Sequence, residues 1–307
     1  MQLKWDEAYP GCGVKHYNWF TSVGKVAASL WYPSEPGGKK ARYLGVLQGE
    51  AGIQAKPSGK DWPLVLVSHG SGGSRFDQFF LCERLAKAGY AVLAVDHKDR
   101  QENTRWQCLL RRPARLLAAW HQLKREAFCL SHIDFGSLSL IGHSAGAYDL
   151  VVAAGGQPEF AREPVLSPVQ SKLAGFCAED YALPDITHMV LLAPALSNVF
   201  SPHTLAAIRL PVLVVEAQDE KVNLLGCAAD YATGLEQAQY QLLEGAGHYA
   251  FVYECPPVMR ALNPDIAGGD RRPRAQLHQQ WLGWVDAFFL SSGYIRTANF
   301  QREAVYV

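Results

Sequence analysis

The stretch SLSLIGHSAGAYDL, Ser137 to Leu150, runs from an alternating apolar segment through Gly142-His143-Ser144-Ala145-Gly146 into a small-residue, helix-compatible segment. A strand that ends in G-x-S-x-G and flows into a helix is a nucleophile elbow, in which a strained turn lifts the serine hydroxyl above the sheet. Crowding by neighbouring strands requires small flanking residues, and Gly142, Ala145, Gly146 and Ala147 meet that requirement. The new helix would also aim its first N–H groups at the hydroxyl, which suits a developing oxyanion. The competing reading makes Ser144 a helix N-cap whose small neighbours serve packing alone.

A serine hydroxyl is a weak nucleophile and needs a base with an orienting acid, which follow an elbow of this kind in the order serine, acid, histidine. LLEGAGHYAF puts His248 on a Gly-rich loop just after the last core strand, although a surface-loop histidine would read the same. The acid should lie just past PVLVVEA, where QDEKVN offers Asp219 and Glu220 side by side; Glu216 is still inside the strand and is weaker. The loop after the first central strand, VSHGSGGSRFDQ, supplies the second half of an oxyanion hole. The Ser71 N–H would act there with that of Ala145. His69 and His143 flank these turns and read as structural. No G-x-x-x-x-G-K-[ST], G-x-G-x-x-G or HExxH pattern is present, so neither a cofactor nor a metal is expected.

The elements that must position these residues follow from apolar runs alternating with helical segments, the pattern of a mostly parallel sheet covered by helices. Strands are expected at 63–70, 90–97, 138–144, 188–194 and 211–217, with a shorter one at 239–245 and an antiparallel edge strand at 24–33. Helices are expected at 76–88, 145–154, 228–237 and 275–290, with helical spacing also over Pro113–Phe128. Residues 32–63 read as a Gly/Pro/Lys-rich excursion. Segments 98–130 and 155–186 exceed a simple connection and read as insertions that shape a pocket on one domain spanning 1–307.

Composition narrows the function. The 29 basic and 29 acidic side chains cancel, so no net field favours nucleic acid or an anionic membrane. Arg111-Arg112 and Arg271-Arg272 read as solvated surface charges. No run of about 18 apolar residues suggests a spanning helix. MQLKWDEAYPGCG lacks a basic segment followed by an apolar one, so a cytoplasmic protein is expected, or an exported one if a leader once preceded Met1. The seven cysteines are scattered without CxxC spacing and read as reduced, packed thiols.

These residues together resemble the α/β-hydrolase superfamily, and within it the dienelactone-hydrolase-like serine esterases related to platelet-activating-factor acetylhydrolases and cutinase-like polyester hydrolases. The likeness runs from about Val26 to Phe289 and is carried by LWYPSEP, VLVSHGSGGSR, GHSAGAY, LAPALSNVFSPHTLAAIRLPVLVVEAQDE, GAGHYAF and RAQLH. It implies an α/β-hydrolase fold with helices on both faces of the sheet, Ser144 as nucleophile, His248 as base, and the Ser71 and Ala145 N–H groups as oxyanion donors. Relatives read P-V-L-L-V-x-G-x-x-D at the acid strand. Counting from Pro211, that aspartate falls on Glu220, which is slightly favoured; Asp219 needs a one-residue shift. Dienelactone hydrolases proper use a cysteine nucleophile, so the family name does not give the substrate. The expected activity is hydrolysis of a small carboxylic ester or lactone through an acyl-enzyme. A catalytically silent binding scaffold and an acyltransferase with the same triad are the alternatives. Trp106, Tyr148, Phe200 and Tyr249 are expected apolar pocket walls, each equally able to be ordinary core.

Overall fold

The computed structural model describes residues 9–101, 105–222, 226–262 and 264–291. Its strands are β1 (Gly11–Thr21), β2 (Gly24–Ser34), β3 (Lys40–Tyr43), β4 (Leu47–Ile53), β5 (Trp62–Ser68), β6 (Ala91–Val95), β7 (Ile133–His143), β8 (Ile186–Leu192), β9 (Val212–Ala217) and β10 (Ala238–Leu243). They form a ten-stranded sheet in the order β10-β9-β8-β7-β5-β6-β2-β1-β4-β3. From β10 to β6 every neighbouring pair is parallel. β2 then runs antiparallel to β6, and β1 antiparallel to β2.

The helices are α1 (Phe79–Lys87), α2 (Arg105–Leu123), α3 (Ala127–His132), α4 (Ala145–Ala153), α5 (Gln170–Leu173), α6 (Pro202–Ala206), α7 (Ala228–Gly234), α8 (Pro257–Leu262), α9 (Pro264–Ala267) and α10 (Arg274–Ser291). Alternate side chains of a strand point to opposite faces. Leu64 and Leu66 of β5 therefore join one core with Leu116 of α2 and Val151 of α4. Val65 and Val67 join the other with Leu85 of α1 and Trp281 of α10. Both faces being covered explains why β5 to β9 read as near-continuous apolar runs.

Several elements differ from the sequence expectation. β1 was not expected, and β2, expected as an edge strand, lies between β6 and β1 because β1 pairs along its whole length. Residues 32–63 are not a bare excursion, because β3 and β4 lie within them and extend the sheet beyond β1. LQGEAGI has weak strand propensity. A buried carboxylate compensates: Glu83 accepts Tyr43 Oη–H (2.7 Å), the Ala51 N–H (2.9 Å) and the Glu50 N–H (3.0 Å). The helix expected over Pro113–Phe128 instead begins at Arg105 and carries Pro113 inside it, ending at Leu123 before the separate α3. None of the seven cysteines is in a disulfide. Among the described residues no helix is long and apolar enough to cross a membrane.

Candidate active site

Parallel pairing brings the carboxyl ends of β5, β7, β8, β9 and β10 to one edge of the sheet, the edge at which open α/β sheets place ligands. Ser144 follows β7 and opens α4 at φ 54° and ψ −119°. A non-glycine residue held in such a sparsely populated region carries about 1–3 kcal/mol of strain. Its N–H donates to the Leu192 carbonyl (3.0 Å) and its own carbonyl accepts from the Ala195 N–H (3.2 Å), so the end of β8 fixes the turn. A Cβ on Gly146 would stand 2.1 Å from the Ser68 carbonyl oxygen, and one on Gly142 would stand 2.7 Å from the Gly146 backbone. Close approach of backbones is what demands glycine at both. The Ser144 hydroxyl makes no capping bond to α4, so its role is not that of an N-cap.

His248 sits in a short 3-10 turn after β10 and is buried. Its Nδ1–H donates to Glu220 Oε2 at 2.6 Å. That bond fixes the proton on Nδ1 and leaves Nε2 with a lone pair in the neutral ring. The other Glu220 oxygen accepts the Val222 N–H (2.6 Å). Asp219 turns away: its Oδ2 accepts from Arg271 Nε (2.6 Å) and its N–H donates to the Ala246 carbonyl (2.9 Å). Glu216 accepts the Tyr240 hydroxyl proton within the β9–β10 pair. Of the three acids the sequence offers, only Glu220 meets the imidazole.

The two histidines read as structural both hold backbone carbonyls. His143 Nε2–H donates to the His248 carbonyl (3.0 Å), its ring 4.9 Å from that of His248. Burial, reinforced by His248, pulls its pKa down to about 3. His69 Nε2 accepts the His97 N–H (3.1 Å), which places the ring proton on Nδ1, and Nδ1–H donates to the Gly70 carbonyl (2.7 Å). Burial and then the Arg112 charge lower its pKa to about 4. Gly70 passes so close to the elbow that a Cβ there would meet Ser144 Cβ at 3.2 Å. Ala145 is the first residue of α4, and a first-turn N–H has no carbonyl within its helix to bond.

A cavity of about 1040 Å³ opens over these groups, lined by Ser144, His248, Ser71 and Ala145. Segment 98–130 contributes Trp106, Cys108 and Leu109 to its wall, and segment 155–186 contributes Val165, Leu166 and Val169. Lys172 Nζ lies 5.1 Å from the Trp106 ring centroid and links the two insertions. Tyr148 and Tyr249 also line the cavity, and Tyr148 Oη–H donates to the Leu109 carbonyl (2.9 Å). Phe200 does not line it; its ring packs behind Tyr148, centroids 5.8 Å apart. Among the described residues no group of three or more His, Cys, Asp or Glu is arranged to hold a metal.

Sequence reading missed the polar floor of the site. Arg112, taken for a solvated charge, is buried, as are Asp149 and His97. Asp149 carried a legible signal, because it lies in a helix whose every residue is buried, where a carboxyl needs a partner. Leu44, on the turn between β3 and β4, also reaches the cavity wall, although nothing in its local pattern marks it.

Residues 45–115 match the model of the family described as platelet-activating factor acetylhydrolase, isoform II. Among solved structures, a ferulic acid esterase from Streptomyces cinnamoneus is similar at 19% identity and a TM-score of 0.62, over 92% of this chain and 89% of that one. The sheet, its flanking helices and this match are those of the α/β-hydrolase fold.

Proposed function

We propose that this chain, built on the α/β-hydrolase fold, is a cofactor-independent carboxylic-ester hydrolase with Ser144 as nucleophile, His248 as base and Glu220 as the orienting acid. One observation carries the reading. His248 is bonded through Nδ1 to a carboxylate, which leaves Nε2 basic, and it shares a cavity wall with a strained serine whose hydroxyl does not cap its own helix. The family match over 45–115 and the similarity to a ferulic acid esterase support ester chemistry.

In this mechanism Ser144 Oγ bonds to the ester carbonyl carbon while its proton passes to His248 Nε2, and the carbonyl π-pair becomes an oxyanion. The Ser71 and Ala145 N–H groups donate to that oxygen. The tetrahedral intermediate collapses as the C–O bond to the alcohol breaks, and His248 returns the proton to the departing oxygen. Water, deprotonated by the same imidazole, then releases the acid and regenerates Ser144. Glu220 keeps the ring in the required tautomer and stabilises it when charged. The cavity's size and its Trp106, Leu109, Leu166 and Tyr148 walls favour esters with bulky apolar groups on at least one side.

The test is Ser144→Ala. It should abolish p-nitrophenyl ester turnover and fluorophosphonate labelling while leaving the fold intact by circular dichroism. Undiminished labelling of the variant would remove Ser144 from the mechanism. An ester and lactone panel of graded acyl and alcohol size, run on both proteins, would then define the substrate.

A further inference from the structure

Arg112 is brought by α2 between α4 and the loop after β5, and its side chain is 2% exposed. Toward α4, Nε donates to Asp149 Oδ2 (3.0 Å) and Oδ1 (3.2 Å), and Nη2 lies 2.9 Å from Oδ2. Asp149 is part of the helix whose first residue is Ala145. Toward the loop after β5, Nη2 donates to the His69 carbonyl, and Nη1 donates to Asp99 Oδ2 (2.6 Å). Asp99 Oδ2 in turn accepts the Gly72 N–H (2.9 Å).

The Gly70–Ser71 peptide lies between these anchors. Its carbonyl accepts His69 Nδ1–H (2.7 Å) and the Gly73 N–H (3.1 Å). A trans peptide is planar, with its N–H opposed to its C=O. Fixing the Gly70 carbonyl therefore directs the Ser71 N–H the other way. The bonds at the His69 carbonyl and the Gly72 N–H stop the two flanking peptides from rotating.

We infer that Arg112 is the positioning residue of the oxyanion hole, one guanidinium tying the helix that carries the Ala145 donor to the loop that carries the Ser71 donor. Arginine suits the task because its donors diverge in a rigid planar fork, whereas a lysine ammonium is a single point on a flexible stem. Arg112 also lines the cavity, but its guanidinium donates to Asp149, Asp99 and the His69 carbonyl, so it acts through the backbone. The inference rests on the proposed hydrolase reading.

The experiment compares wild type, Arg112→Lys and Asp99→Asn. Lysine keeps the charge that the buried carboxylates need but cannot reach both of them and the His69 carbonyl together. Asparagine keeps an oxygen for the Gly72 N–H and loses the charge that holds Nη1. The readouts are kcat and KM for p-nitrophenyl butyrate, and the Ki of an aryl trifluoromethyl ketone, whose hemiketal adduct presents an oxyanion to the same donors. Arg112→Lys should lower kcat by about tenfold or more, short of the ~100- to 1,000-fold lost when a donor is deleted outright. KM should stay within about threefold, and Ki should rise by the same factor by which kcat/KM falls. Asp99→Asn should show the same pairing to a smaller degree, and it decides the matter if Arg112→Lys does not fold.

Folded variants with kcat and Ki within about twofold of wild type overturn the inference. So does a loss of kcat with Ki unchanged, which would mean that Arg112 supports the fold and not the donors. Wild-type protein that neither turns over esters nor takes a phosphonate on Ser144 overturns the hydrolase reading itself. An active wild type with insensitive variants overturns only the role of Arg112.

Discussion

Glu220 and Asp219 are adjacent carboxylates with different partners, one on His248 and one on Arg271. Glu220→Gln should lower kcat by about 10²- to 10⁴-fold with KM little changed, because the amide no longer demands a proton on Nδ1 and a wrong tautomer blocks Nε2 as base. Asp219→Asn removes only an ion pair whose arginine is 63% exposed, so its kcat should stay within about threefold of wild type. Parallel steady-state kinetics on the two variants check the assignment; equal losses would mean that the turn after β9 re-forms around either acid. At this scale the sequence was legible where chemistry is local. The local pattern placed Ser144 and His248 where the structure puts them, on one cavity wall. The partner of His248 was left between Asp219 and Glu220, with Glu220 slightly favoured, because the direction of each depends on how the turn after β9 meets Arg271, 52 residues from Asp219. Arg112 beside Arg111 looked like a surface pair for a similar reason: only the three-dimensional fold reveals that one of them faces Asp149.

At the scale of elements, the junction of β5, β7 and α4 leaves no room for a methyl group. Gly146→Ala would push a Cβ against the Ser68 carbonyl, and backbone cannot swing aside as a side chain can. The variant should be less stable by about 1–3 kcal/mol or more, measured by urea unfolding, and it should lose activity because the turn holding Ser144 must shift. An unchanged unfolding midpoint would show that α4 can slide away from β5. The insertions give a different kind of prediction. Trp106 forms cavity wall on α2 and is far in function from the proton transfers. Trp106→Ala should therefore leave kcat/KM for p-nitrophenyl acetate within about threefold while changing the ranking of longer esters by about tenfold. Strands with both faces buried were legible as unbroken apolar runs. β3 and β4 were not, since Glu83 on α1 holds the β4 backbone and the Tyr43 hydroxyl of β3 and supplies what their own side chains lack. Phe200 was placed one layer too near the cavity because an aromatic ring beside a site and one behind it have the same local pattern.

For the molecule as a whole, the buried polar groups set how stability responds to acid. His69, His143 and His278 have pKa values lowered to about 4, about 3 and about 4, in each case chiefly by burial. In the unfolded chain each returns to about 6.5. Between those limits the unfolded state binds the extra protons, so stability falls as pH drops below about 6.5, by about 1.4 kcal/mol per pH unit for each histidine. Asp149 works against them. Burial raises its pKa to about 6, so below that pH the folded chain holds a proton that the unfolded carboxyl keeps only below about 4. His16, His97 and His188 shift the same way as the other histidines, and Asp286 shifts with Asp149. Lowered histidines outnumber raised acids, so the net effect is a loss of stability as pH falls below about 6.5. The urea midpoint should accordingly be lower at pH 5 than at pH 7, and these groups should leave it flat from pH 7 to 8. His69→Asn should make the acid slope shallower by about one proton, since it removes one neutral imidazole from the floor of the site. A midpoint that holds steady or rises from pH 7 to 5 would mean that the histidines are charged or solvated in the folded chain. In that case His69 Nε2 would carry a proton and could no longer accept the His97 N–H, while Nδ1–H would still donate to the Gly70 carbonyl.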